Sequence, residues 1–136
     1  MSTDELLGAV GMSTMVVRAA DTSVASGFND LPILASSAAQ SLVESACSAA
    51  LAEYFAPGET SFTQAITLEM STSVPIGEEV RAHARVIEAE DGLVIFEAEI
   101  THVNRTIAVA HVQRRLVDRI SFMARVAAEK IVSAEA

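Results

Sequence analysis

Between Ser36 and about Phe55, small and apolar residues return at helical spacing: Ala39, Leu42, Val43, Ala46, Ala49 and Ala50. Ser36 or Ser37 is placed to cap the start, and Pro57-Gly58 to stop the chain. The pattern predicts one helix of about 30 Å at a rise of 1.5 Å per residue. The period then changes to two. In TSFTQAITLEMST, Phe62, Ile66, Leu68 and Met70 alternate with Thr63, Thr67 and Glu69, which predicts a strand with the first set on one face. Pro75-Ile76-Gly77 turns the chain, and EVRAHARVIEA and LVIFEAEITHV flank Glu90-Asp91-Gly92. A three-residue loop closed by glycine pairs Val86 with Phe96, Ala84 with Ala98 and Ala82 with Ile100 on one face. The other face then pairs Arg85 with Glu97 and His83 with Glu99, whereas a two-residue loop would set apolar residues against charges.

Asn104-Arg105 marks the next turn, and TIAVAHVQRRLVD reads as the last strand. Ahead of the helix, STMVVR (13–18) has strand character, and a connector follows with Asp21-Thr22, Gly27, Asn29-Asp30 and Pro32 as turn chemistry. Residues 1–13 are expected to be loose or weakly helical. The tail over 120–136, with Phe122, Val126 and Ile131, is expected to form a short helix. The order is strand, connector, long helix, then four antiparallel strands. A helix whose apolar stripe lies on a one-faced antiparallel sheet gives an α+β fold, in a single domain over 1–136.

Composition narrows the function classes. A net charge of −9 argues against nucleic acid and anionic membrane surfaces, and no apolar run approaches the roughly 18 residues of a membrane span. Acids stand where a signal peptide carries bases, and the lone Cys47 fits a reducing compartment, so a cytoplasmic protein is expected. Hydrophobic residues make up 51% of the chain, more than one small core needs, which points to a subunit interface: a homodimer, or a tetramer built on one.

Most familiar chemistry is missing: there is no phosphate-binding glycine loop, no Cys/His metal spacing and no Gly-x-Ser-x-Gly elbow. No metal or separate cofactor is expected. His83, His102 and His111 fall on strands or a strand end; His83 stands opposite Glu99, as surface pairs do, while His111, on the last strand, keeps a smaller claim to function. Glu44 stands alone in QSLVESACSAA, with Gln40, Ser41, Cys47 and Ser48 beside it on the helix. Either it lies on a solvated face, or it lines a cleft between subunits, where burial suits a carboxylate to act as base or nucleophile. Arg114, Arg115, Arg119 and Arg125 are four of the nine basic residues, suited to phosphates or to pairing with Asp118 and Glu129.

The segment DLPILASSAAQSLVESACSAALAEYFAPGETSFTQAITLEMSTSVPIGEEV resembles the core of the hotdog thioesterases of the fluoroacetyl-CoA thioesterase type. The shared features are Leu-Pro-x-Leu-Ala-Ser/Thr, a helix with Glu followed by small residues, Pro-Gly-Glu, and a strand ending in Thr/Ser-x-Pro-x-Gly. AHVQRRLVDRISF is similar to the closing strand, with Arg114 and Phe122 on recurrent positions. The resemblance spans about 15 to 126. It implies a hotdog fold, one long helix wrapped by a curved sheet that commonly continues into a partner's, and hydrolysis of a small acyl-CoA thioester. It also implies a Thr/Glu/His site: the Glu falls on Glu44, the hydroxyl on Ser36, and the His on Met70, whose thioether can neither orient substrate by a strong hydrogen bond nor carry a proton. CoA would enter as part of the substrate, with Arg114, Arg115 and Arg119 as candidates for its phosphates. The alternative is a hotdog protein that binds acyl-CoA or another small ligand without hydrolysing it. A hydratase of this fold is disfavoured, because no Asp/His pair lies at helical spacing on Ser36–Phe55.

Overall fold

A computed structural model describes residues 3–135, with side-chain surroundings for residues 5–130. Five strands, β1 (Val10–Val16), β2 (Glu59–Met70), β3 (Glu79–Glu90), β4 (Leu93–His102) and β5 (Arg105–Asp118), form one antiparallel sheet in the order β1-β3-β4-β5-β2. Helix α1 (Ser36–Leu51) lies against one face, packed chiefly on β1 and β3 and barely touching the edge strand β2. Helix α2 (Arg119–Glu135) follows β5. A helix wrapped by a curled antiparallel sheet is the hotdog arrangement expected from the sequence.

The periodicities produce this directly. Leu42, Val43, Ala46, Cys47 and Ala50 are buried on α1, at the spacing that keeps side chains on one helical face. Opposite them, strict alternation buries Val80, Ala82, Ala84 and Val86 of β3 and Val94, Phe96, Ala98 and Ile100 of β4. Small residues align across four strands: Gly11 pairs with Ala84, Ala84 with Ala98, and Ala98 with Ala110. That row lets the helix come very close. A Cβ on Gly11 would stand 2.1 Å from the carbonyl oxygen of Ala46 and 2.4 Å from the nitrogen of Ala50.

Several local expectations need correction. The weakly helical start is a 3-10 turn, Thr3–Leu6, with Leu6 fully buried, but β1 begins at Val10 and ends at Val16, not 13–18. The helix cap is Ala35, without a side-chain bond, so neither Ser36 nor Ser37 caps α1. Backbone bonds hold the approach instead, with Ala35 N–H donating to the Asp21 carbonyl and Leu34 N–H to that of Val74. The β3–β4 register is the one expected as far as Val86–Phe96, but beyond it Glu88 pairs with Ile95 and the loop has two residues, Asp91 and Gly92, both at positive φ. A bulge at Ile87 supplies the extra residue that keeps charged and apolar faces separate. The next turn is Val103-Asn104, one residue earlier than expected. Helix α2 is 17 residues long, not short, and its Ile131 lies outside the described side chains.

The largest correction concerns β2. Thr63 pairs with Arg114 but Ala65 pairs with Gln113, so Gln64 is a bulge. A one-residue slip exchanges the faces of a strand. Phe62 therefore turns away from α1 and Thr63 toward it, while Ile66, Leu68 and Met70 pack on the core.

Gly11→Ala should force α1 and β1 apart and lower stability by about 1–3 kcal/mol, as overpacking does. Urea unfolding checks this: the midpoint should fall with the slope unchanged, and an unaltered midpoint would contradict the close backbone approach.

Candidate active site

Ser36 is the first residue of α1 and is exposed. It lines a cavity of about 580 Å³ with Phe28, Asn29, Met70 and Thr72, so the fold brings the two positions Ser36 and Met70 together. Glu44 does not line that cavity. It lies two helical turns further on, about 12 Å along the axis at 1.5 Å per residue.

Glu44 is nonetheless tightly held. Thr63 Oγ1 is 2.7 Å from Oε1 and 2.9 Å from Oε2 of its carboxylate, and donates its proton to it. Arg114 Nη2 donates to Oε1 and to the Glu44 carbonyl oxygen, both at 2.9 Å. Arg114 Nη1 donates to Ser48 Oγ at 3.0 Å and, more weakly, to Ser61 Oγ at 3.4 Å. The Arg114 side chain is 9% exposed and that of Glu44 30%. A planar guanidinium suits this place, because its fixed fork ties a carboxylate, a carbonyl and hydroxyls at once. Its Nε is buried without a partner. Glu44 is thus an anchored carboxylate with one oxygen, Oε2, engaged only by Thr63.

Arg114 is therefore not placed to hold CoA phosphates: its charge is turned inward and occupied by Glu44, because β5 directs residue 114 to the helix side and residue 115 outward. Arg115 is half-buried on the outer face, with Nη1 donating to the Asp91 carbonyl at 3.2 Å. Arg119 is exposed at the first position of α2, and its backbone N–H donates to the Gly58 carbonyl.

No histidine stands beside Glu44. His83 and His111 are exposed on the outer face of the sheet, where they line a broad groove of about 930 Å³ with Arg85, Glu97 and Glu99. Glu99 accepts from Thr106 Oγ1 at 3.2 Å, and among the described residues the histidine–carboxylate contact is His102 with Glu78, at 2.9 Å. Cys47, one turn beyond Glu44, is buried. Burial pushes its thiol up to about 12, the Glu44 charge adds to this, and Arg114 opposes it, so the thiol stays protonated and is a poor nucleophile. Among the described residues no cluster of His, Cys, Asp and Glu is placed to hold a metal ion, and no helix is long and apolar enough to cross a membrane.

Sequence reasoning missed Thr63 and the inward role of Arg114. The signal available for Arg114 was its neighbour: two consecutive arginines on a strand must face opposite ways. Thr63 had no comparable signal, since the Gln64 bulge decides its face.

Sheet order and helix position define a protein of the hotdog class. A hot-dog-like protein from Thermanaerovibrio acidaminovorans superposes with a TM-score of 0.87 at 17% identity, over 95% of this chain and 97% of that one. A Thermus thermophilus protein described as a thioesterase superfamily member gives 0.86 at 18% identity, over 96% of both chains. An alanine mutant of the fluoroacetyl-CoA-specific thioesterase gives 0.81 at 23% identity, over 90% of this chain and 96% of that one. No curated protein sequence matches the chain. The family model for the fluoroacetyl-CoA-specific thioesterase matches residues 10–120, and this chain belongs to that family.

The Arg114–Glu44 pair should be coupled. Arg114→Met leaves a half-buried carboxylate without its cation and should cost about 1–3 kcal/mol. In a double-mutant cycle with Glu44→Gln, followed by urea unfolding, the coupling should lie at about 0.5–3 kcal/mol. Simple additivity would refute the pairing.

Proposed function

We propose that this protein is an acyl-CoA thioesterase that hydrolyses a small acyl thioester, with Glu44 as the reacting carboxylate. The observation that carries this reading is the fixed, half-buried Glu44 held by Arg114 and Thr63 with Oε2 the less engaged oxygen. As a base, Glu44 takes a proton from water while the hydroxide adds to the carbonyl carbon. The oxyanion is held by the Ser36 hydroxyl and by backbone N–H groups at the start of α1. Collapse breaks the C–S bond, and the departing thiolate recovers the proton from Glu44. As a nucleophile, Oε2 instead adds to the carbonyl carbon and expels the thiolate, and water then cleaves the mixed anhydride. A thiol with an ordinary pKa of about 8.5 leaves readily as thiolate. Neither route therefore demands a strong acid at Met70. A small acyl group accords with the family, and a threonine-to-serine variant of the fluoroacetyl-CoA thioesterase has been solved with acetyl-CoA.

Ser36 and Glu44 of one protomer are too far apart along α1 to touch one carbonyl group, which needs donors within about 3 Å. The reading therefore includes a homodimer in which the start of α1 of one protomer faces Glu44 of the other. The open seam between α1 and β2, with Ile66, Leu68 and Met70 only partly covered, supports such packing.

Met70 favours a second reading, a protein that binds acyl-CoA without cleaving it. Thiol release from a panel of acyl-CoAs, run beside thermal stabilisation by CoA, separates the two: turnover selects the enzyme, and stabilisation alone the binder. Glu44→Gln should abolish thiol release while CoA still stabilises the fold. Unchanged turnover of every acyl-CoA tested would sink the assignment, and faster turnover by Met70→His would show that the missing imidazole limits the rate.

The shared site makes a separate expectation. Ser36→Ala and Glu44→Gln protomers, each impaired alone, should recover up to about one quarter of native activity when mixed and re-equilibrated, since half of a random set of twofold dimers is mixed and each mixed dimer keeps one intact site. No recovery, with mixed dimers verified by mass, would place both groups in one protomer's site.

A further inference from the structure

Among the described residues, two side chains hydrogen-bond the Glu44 carboxylate: the Arg114 guanidinium and the Thr63 hydroxyl. Arg114 is spread over four acceptors, two on Glu44 and one each on Ser48 and Ser61. Thr63 has a single use. Its Oγ1 lies 2.7 Å from Oε1 and 2.9 Å from Oε2, and among the described residues it bonds nothing else. The hydroxyl proton therefore rests on the carboxylate, and the lone pairs of Oγ1 are left free.

The place is open to a substrate. Thr63 is partly exposed on the edge strand β2, and the Glu44 side chain beside it is 30% exposed. This is the seam at which the homodimer proposed above brings in the start of α1 from the other protomer. The Gln64 bulge is what turns Thr63 inward, since strict alternation would leave it on the outer face with Thr67. Bulges recur beside active sites, where they re-aim a side chain. A hydroxyl whose proton lies on a carboxylate, with that carboxylate oriented by a third group, is the arrangement of an activated oxygen nucleophile.

We propose that Thr63 Oγ1 makes the first attack on the thioester carbonyl, with Glu44 as its base. This rests on the thioesterase reading and assigns the nucleophile within it. Oγ1 adds to the carbonyl carbon as its proton passes to Glu44, and Ser36 of the other protomer holds the oxyanion. Collapse breaks the C–S bond, and the thiolate takes the proton from Glu44. The acyl group is then an ester of Thr63. Glu44 next takes a proton from water, and the hydroxide adds to the ester carbonyl. Collapse breaks the bond from the carbonyl carbon to Oγ1, Glu44 returns its proton to Oγ1, and the free acid leaves. The hydroxyl implied by the family resemblance is Ser36, so Thr63 is a second one on a different element. Every proton moves between groups already in contact or through water, and none passes through position 70.

An alkoxide leaves less readily than a thiolate, so the ester should accumulate before it is hydrolysed. Rapid quenching with the best acyl-CoA of the panel, then digestion and mass spectrometry, should find the acyl group on Thr63, with a burst of thiol release. Thr63→Val, nearly isosteric, should lose the adduct and lower kcat by about a hundredfold or more. Thr63→Ser should keep the adduct and most of the rate, and Glu44→Gln should form none. An acyl group found on Glu44 would overturn the assignment, as would turnover with no adduct and no burst, or a Thr63→Val protein of native rate. A slow Thr63→Val protein beside an adduct-free native one would show that Thr63 only orients Glu44. If the native protein releases thiol from no acyl-CoA, the thioesterase reading fails, and p-nitrophenyl acetate decides the nucleophile separately. Acetylation of Thr63 that Glu44→Gln abolishes supports it; no acetylation there overturns it.

Discussion

The position of α1 rests on a backbone contact. Gly11 lets the Ala46 carbonyl approach β1 more closely than any side chain would permit, and Ala84, Ala98 and Ala110 extend the same shallow row across the sheet. Larger residues on either side of that row, including Val86, Val94, Phe96 and Ile100, then close around the helix. Interiors are packed at near-crystalline density, so a seat of this kind leaves the helix little freedom to slide or rotate. The direction of Glu44 follows from it: with Leu42, Val43, Ala46 and Cys47 buried on the sheet, residue 44 points to the seam beside β2.

At that seam a charge is kept from open water without being isolated. Arg114 reaches through the layer from β5 to the helix and binds both the carboxylate and the carbonyl of Glu44. Removing only one member of such a pair leaves the other partly desolvated and unpaired, which is why a carboxylate here needs its guanidinium. Thr63 adds a donor from the edge strand. The result is an oriented acceptor on a rigid element, the form a reacting carboxylate requires.

The Gln64 bulge gives β2 two roles. Beyond it the strand behaves as ordinary sheet, with Ile66, Leu68 and Met70 on the core. Before it, the faces are exchanged, and Thr63 and Phe62 go to the helix side and the outer side respectively. One inserted residue thus couples the position of the carboxylate's hydrogen-bond donor to the docking of α2 through Phe122. β-bulges redirect side chains in this way without changing the rest of a ladder.

Much was legible in the amino-acid sequence by itself. The helical period over Ser36–Leu51, the alternation in β3 and β4, and the order of elements determined the α+β class, the β3–β4 register and the family, because these depend on local periodicity and on which face is apolar. Glu44, Ser36 and Met70 were visible as candidate positions. What only the tertiary structure decided were the places where one residue of slip matters. The bulges at Ile87 and Gln64 leave no compositional mark, since a bulge is fixed by how the strand meets its neighbour. Consecutive arginines at 114 and 115 had to face opposite ways, but which of them turns inward was left to the fold, because the half-buried carboxylate opposite Arg114 lies on another element. The feature that began as an isolated acid among small residues is an ion pair, and its second half lies seventy positions away in the chain.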